Sequence, residues 1–234
     1  MADGRVVVHG HYGRPVLVFP SEQGSAHDTE SNGMVDAVRG LVDGGRVKLY
    51  CVDSYDAASW SAAHLPLEER ARHHERYESW ILGTVAPFIR EDSGGRSDLA
   101  AAGCSMGAYH AVNIALRHAD VFPLAMGFSG NYDPATWRAW GEQGMAAYFA
   151  NPVQYVPNLH GDHLDRLRAQ VSVLLVCGQG QWEDTTGSLP STRRMAELLG
   201  AKGIRHELDL WGHDVPHDWP SWRSQWAHHL PRFC

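Results

Sequence analysis

Residues Leu99–His118 read LAAAGCSMGAYHAVNIALRH, and this stretch decides the fold. An apolar run, Leu99–Gly103, passes at a single point into a run with helical spacing, Met106–His118. At the junction, Gly103-Cys104-Ser105-Met106-Gly107 has the form G-x-S-x-G. A serine on a sharp strand-to-helix turn sits under backbone strain. Side chains two positions before and after it would collide, so glycine suits both places. Such a turn lifts the Ser105 hydroxyl into the mouth of a sheet. The helix that follows aims its N-terminus at the reacting oxygen and favours negative charge there. The backbone N–H of Met106 is therefore an expected oxyanion donor. A plain Gly/Ser turn without chemistry would not require the strand before it or the helix after it.

Working outward, further apolar runs predict strands at Val6–Val8, Val16–Phe19, Val47–Val52, Leu124–Phe128, Val171–Cys177 and His206–Trp211. They read as apolar on both faces, as strands covered by helices require. The HGHYGRP segment between the first two reads as a turn or hairpin loop. Helices are predicted at Gly33–Val42, Leu67–Ile89, Leu189–Ala201 and Pro220–His229. Strand and helix alternate to the end, which predicts an α/β fold with a mostly parallel central sheet flanked by helices. The stretch 131–170 breaks the rhythm and reads as a small, irregular, lid-like insertion. No repeat divides the chain, and one domain over 1–234 is the expectation.

A serine hydroxyl needs a base to take its proton and a carboxylate to orient that base. On this kind of sheet the acid follows a late strand and the histidine follows the last one. VSVLLVCGQGQWEDTTGS supplies Glu183 and Asp184 after a Gly-rich turn, with Glu183 preferred. LWGHDVPHDWPSW supplies His213, behind Gly212, and His217, just before the final helix. A second oxyanion donor is expected from the loop FPSEQGS, at the backbone N–H of Ser21 or Glu22. Among nine tryptophans, Trp60, Trp137 and Trp182 are expected to line an apolar acyl or aryl pocket. Tyr55 is an alternative wall. Trp222 and Trp226, at i and i+4, are expected to dock the last helix on the core.

Composition narrows the classes further. At 234 residues, 44% hydrophobic and 20% charged, the chain is ordinary globular material. The formal charge of −7 and the lack of a Lys/Arg cluster exclude a general nucleic-acid surface. The start, MADGRVVVHGHYGRPVLVF, shows no secretory pattern, and no apolar run is long enough to span a bilayer. A cytoplasmic location is expected. Cys51, Cys104, Cys177 and Cys234 include no CxxC pair and read as free thiols, with Cys234 the one to react. The 15 histidines offer no convincing metal-ligand set, so no metal and no cofactor is expected. His73, His74, His228 and His229 read as solvated helix faces, and His110 as a packing or capping residue.

Three segments resemble the esterase D and mycolyltransferase-like branch of the α/β-hydrolases. GCSMGAYHAVNIALRHADVFPLAMGFSGNYDP is similar to that family's serine elbow, helix and following strand. VCGQGQWED is similar to its strand, turn and acid. His217-Asp218-Trp219-Pro220-Ser221-Trp222 is similar to its His-x-Trp-x-x-Trp segment. The resemblance covers about Leu99 to the C-terminus, and the FPSEQG turn fits as well. It implies an α/β-hydrolase fold and a triad of Ser105, His217 and an acid at Glu183 or Asp184, with Met106 in the oxyanion hole. It favours His217 over His213. The implied activity is hydrolysis of a small-molecule carboxylic or thio ester through an acyl-enzyme. Acyl transfer to an alcohol by the same residues, or a non-catalytic binding protein on the same scaffold, are the alternatives.

Overall fold

The computed structural model describes residues 4–234, so the first three residues of the segment read for a leader lie outside it. Among the described residues seven strands form one sheet: β1 (Val6–His9), β2 (Arg14–Phe19), β3 (Val47–Val52), β4 (Ala100–Cys104), β5 (Leu124–Phe128), β6 (Ser172–Cys177) and β7 (Arg205–Leu210). Their order is β1-β3-β2-β4-β5-β6-β7. Only β1 runs antiparallel to its neighbour; every other pairing is parallel.

Helices fill the connections. Three short ones, α1 (Asp28–Ser31), α2 (Met34–Ala37) and α3 (Arg39–Asp43), follow β2. Next come α4 (Leu67–Trp80), α5 (Ala86–Asp92) and α6 (Met106–Arg117). The 131–170 stretch contributes α7 (Met145–Phe149), α8 (Pro152–Tyr155) and α9 (Gly161–Gln170). Then α10 (Ser188–Ala201) and α11 (Trp219–His229) complete the set.

Alternation along the central strands sorts the core into two layers. Leu17, Tyr50, Ala101, Ala125 and Leu175 face one side, against Tyr77 of α4, Ala111 of α6 and Met195 of α10. Val16, Leu49, Ala102, Leu174 and Val176 face the other, against Met34 of α2 and Trp222 and Trp226 of α11. Both sides of the parallel core are thus covered, and the tryptophan pair docks the last helix as its spacing predicts.

Four local readings are corrected. The first two strands do not form a hairpin, because β3 lies between them and pairs with both. β7 is not buried on both faces: it is an edge strand, its polar Arg205 and Glu207 are exposed, and Leu208 is 38% exposed. Charge on an edge strand blocks further pairing. The Gly33–Val42 helix breaks at Val38, whose φ of −121° and ψ of 17° leave the helical region. The Leu67–Ile89 helix reaches Asp92 but passes through a π turn at Ile81–Val85. Pro87 lies just beyond that turn and has no N–H to continue the ladder, so the register is shifted there.

Two histidines read as exposed are also interior. His74 is 3% exposed and His229 1% exposed. His74 faces the core because it lies in the row Leu67, Arg70, Ala71, His74, Tyr77 and Glu78 on the inner side of α4. His229 is held by Asp209 at 2.9 Å.

Candidate active site

The sheet order reverses at β2 and β4. The chain leaves β2 for β3 on one side, and later places β4 on the other. In such sheets the crevice outside the carboxyl ends of the strands at the reversal is where ligands bind. Phe19, at the end of β2, pairs with Gly103 of β4, so the loops after these two strands lie side by side.

Ser105 occupies that turn with φ 56° and ψ −121°, a positive-φ conformation that a residue with a Cβ rarely adopts. Its N–H is tied to the Phe128 carbonyl at 2.8 Å. The flanking glycines are there for close approach. A Cβ on Gly103 would lie 2.3 Å from the Gly107 carbonyl oxygen. A Cβ on Gly107 would lie 2.5 Å from the carbonyl oxygens of Phe19 and Pro20. The elbow therefore presses directly on the β2 loop.

His217 closes on the serine from the loop after β7. Its Nε2 is 3.0 Å from Ser105 Oγ, and its Nδ1 is 3.0 Å from Glu183 Oε2. Its backbone N–H is anchored on the Gln181 carbonyl, and its ring packs edge-on against Trp222 at 5.0 Å. Glu183 is fully buried. With Nδ1–H donating to Glu183, Nε2 is the free acceptor that the Ser105 hydroxyl requires.

A further shell of donors surrounds the acid, and sequence reading missed it. Ser129 Oγ donates to Glu183 Oε1 at 2.5 Å, and Trp222 Nε1 donates to Ser129 Oγ at 3.1 Å. The Cys177 thiol approaches Glu183 Oε2 at 3.4 Å. Ser129 also has positive φ, 53°, and its N–H is bound by the Val176 carbonyl. The only signal for it in the sequence is the Ser-Gly pair that follows β5.

The β2 loop is clamped from beneath. The Gln23 N–H donates to Asp56 Oδ2 at 3.2 Å, and Gly24 N–H donates to the Ser21 carbonyl at 2.9 Å. Among the described residues the Glu22 N–H has no partner. Asp56 is fully buried, and its other oxygen meets His110 Nε2 of α6 at 3.0 Å. His110, expected only to pack or cap, thus couples the loop to the elbow helix.

A cavity of about 410 Å³ opens beside Ser105. Met106, Glu22, Trp60 and Trp137 line it, together with Arg70 and Arg138. Trp182 does not; it lies outside the cavity, 51% exposed. Tyr55 is likewise absent from the lining. Asp184 is exposed and borders a neighbouring depression shared with Thr186 and Arg194. His213 is exposed, with Nδ1 3.3 Å from the Gln179 carbonyl, and is not part of the Ser105 chain. Neither alternate hydrogen-bonds to Ser105 or His217: the turn after β6 leaves Glu183 fully buried and its neighbour Asp184 exposed. Asp209, His228 and His229 place ligand atoms within 4.8 Å of one another. Their geometry is already satisfied by the Asp209–His229 pair and by Arg232 at His229 Nδ1.

The family model described as "Putative esterase" matches residues 19–233. No curated protein matches the sequence. Solved structures do match in shape. A ferulic acid esterase superposes with a TM-score of 0.70 at 17% identity, covering 98% of this chain and 97% of its own. MPT51 (FbpC1) of Mycobacterium tuberculosis gives 0.73 at 14% identity, over 97% and 91%. An S-formylglutathione hydrolase from Agrobacterium tumefaciens gives 0.70 at 18% identity, over 97% and 88%. At these identities the likeness is one of fold, the α/β-hydrolase sheet. The family match, which takes in the elbow, the acid turn and the histidine loop together, shows that this chain belongs to the esterase family.

Proposed function

We propose that the protein hydrolyses a small-molecule carboxylic or thio ester with Ser105 as nucleophile, His217 as general base and Glu183 as the orienting acid. The observation that carries this reading is the unbroken chain Ser105–His217–Glu183, with both links at 3.0 Å. Ser105 Oγ attacks the carbonyl carbon while its proton passes to His217 Nε2. The imidazolium formed is stabilised by the buried Glu183 carboxylate. The oxyanion is received by the N–H groups of Met106 and Glu22, two residues that line the cavity beside Ser105. Collapse releases the alcohol or thiol with the proton from Nε2. Water then attacks the acyl-enzyme, gives its proton to His217, and Ser105 leaves as the free hydroxyl. No cofactor is required by these steps.

The 131–170 segment supplies Asn131, Thr136, Trp137 and Arg138 to the cavity lining, which supports reading it as a lid-like cover within one domain. No helix among the described residues is long and apolar enough to cross a membrane. Cys51, Cys104 and Cys177 are free and buried, which is compatible with a reducing compartment, and we place the enzyme in the cytoplasm.

The test is hydrolysis of p-nitrophenyl acetate and butyrate by folded wild type, Ser105→Ala, His217→Ala and His213→Ala. We expect kcat to fall by a factor on the order of 10⁴ in the first two variants and to change little in the third. Turnover retained by Ser105→Ala would sink the proposal.

A further inference from the structure

Arg70 is 0% exposed and borders the cavity beside Ser105. Both of its terminal nitrogens donate to one acceptor, the Trp137 carbonyl, at 3.1 and 2.7 Å. Its Nε is buried without a partner among the described residues. Among the described residues no carboxylate pairs with it, and burial alone lowers its proton affinity, with no neighbouring anion to oppose that. This is unusual within the molecule itself. The other buried cation, Lys48, has Asp92 at 2.6 Å, and the half-buried Arg117 has Glu78. A buried charge without a counter-ion is costly, and an anion arriving from outside would offset that cost.

A second guanidinium stands at the same cavity. Arg138 is exposed, borders the lining and makes no side-chain hydrogen bond or ion pair among the described residues. Its backbone holds a positive φ of 51°, next to the carbonyl that Arg70 grips. One carboxylate, Glu22, also borders the cavity, but it is exposed and its Oε1 already accepts from the Ser61 hydroxyl at 2.6 Å. Two cations against one rim carboxylate leave the lining with a net positive charge. The aromatic walls Trp60 and Trp137 lower the local dielectric and lengthen the reach of that charge.

We infer that the cavity selects esters carrying an anionic group, a carboxylate in the simplest case, which Arg70 attracts from the cavity floor and Arg138 receives at the rim. The inference rests on the Ser105 site proposed above and names its substrate class. Arg70 and Arg138 act on binding and orientation, not on the bond that breaks. Their signature is a preference between substrates alike in everything but charge.

Two matched pairs test this. Mono-p-nitrophenyl adipate against its methyl ester puts the charge on the acyl side. 4-Acetoxybenzoate against methyl 4-acetoxybenzoate puts it on the leaving side. Wild type is expected to favour the charged member of at least one pair by about tenfold or more in kcat/KM, chiefly through KM and less so at high salt. Arg138→Gln is expected to shrink that ratio several-fold, and Arg138→Glu to invert it. Arg70→Met is expected to abolish it, with Arg70→Lys retaining part. If Arg70→Met does not fold, the Arg138 variants, altered only at an exposed position, still decide. The inference is overturned if wild type shows no preference for the charged member of either pair, or if its preference survives in Arg138→Glu. Loss of all turnover in wild type, or turnover indifferent to Ser105→Ala, would instead overturn the site on which it rests.

Discussion

Ser129 shows how much of the proposed triad depends on residues outside the three that would define it. A carboxylate sealed from water needs its lone pairs occupied, and Ser129 and Cys177 occupy those that His217 leaves. Ser129→Ala removes one hydroxyl without altering the backbone cost, because serine and alanine both carry a Cβ at φ 53°. A hydrogen bond to a charged group contributes about 1.5 kcal/mol or more, so kcat is expected to fall roughly tenfold with KM little changed. Steady-state kinetics on one chromogenic ester checks this, and an unchanged kcat would mean that Glu183 is held by other contacts. The Trp222 indole loses its acceptor in the same variant, so a lower melting temperature is expected alongside.

Among the elements, the β2 loop depends on a buried carboxylate donated by a short helical turn, Asp56–Ala58. Asp56→Ala frees the Gln23 N–H and leaves His110 without its partner. With the loop displaced, kcat/KM is expected to drop roughly ten- to a hundredfold, and Asp56→Asn to recover much of it. Equal activity in both variants and wild type would show that the loop holds its shape unaided. The elements differ in how far they could be read from the chain. The elbow was legible because strand, Gly103, Ser105, Gly107 and helix are contiguous and each constrains the next. Glu183 and His217 were legible as types on the right loops. Choosing Glu183 over Asp184 depends on which way a turn faces, which no spacing records. Trp222, Ser129 and Glu183 come from three distant segments, so their contact leaves no trace in sequence. The inner face of α4 was hidden for another reason. Its buried row carries Arg70, His74 and Glu78, so the hydrophobic period that marks an inward face is interrupted by polar residues. β7 had the alternation of a half-exposed strand in RHELDL, and its place at the sheet edge explains it.

At the scale of the whole molecule, the interior histidines tie stability to pH. Burial, reinforced by His110 and Arg117, holds His74 well below the usual imidazole range, and its two ring nitrogens have no partner among the described residues. Burial also lowers His229, against the opposing pull of Asp209. The unfolded chain takes up these protons near pH 6.5, whereas the folded protein does so only at lower pH. Both contributions are therefore present above about pH 6.5 and are lost on acidification, and for His74 the loss approaches a limiting slope of about 1.4 kcal/mol per pH unit. His74→Phe keeps an aromatic ring beside Trp60, 5.0 Å away, and is expected to flatten the loss between pH 6.5 and 5.5 by about 1 kcal/mol. Urea unfolding at the two pH values measures it, and parallel losses in variant and wild type would remove His74 from the account. The thiols have a consequence of another kind. Three of the four are enclosed, while Cys234 is exposed beside Arg46 and Arg14, at the opposite end of the parallel strands from Ser105. Partial burial raises its thiol, so a mildly alkaline buffer suits its alkylation. A maleimide-bearing resin or dye would then take the native chain at a single point, and every tethered molecule would present its open mouth to the passing solution.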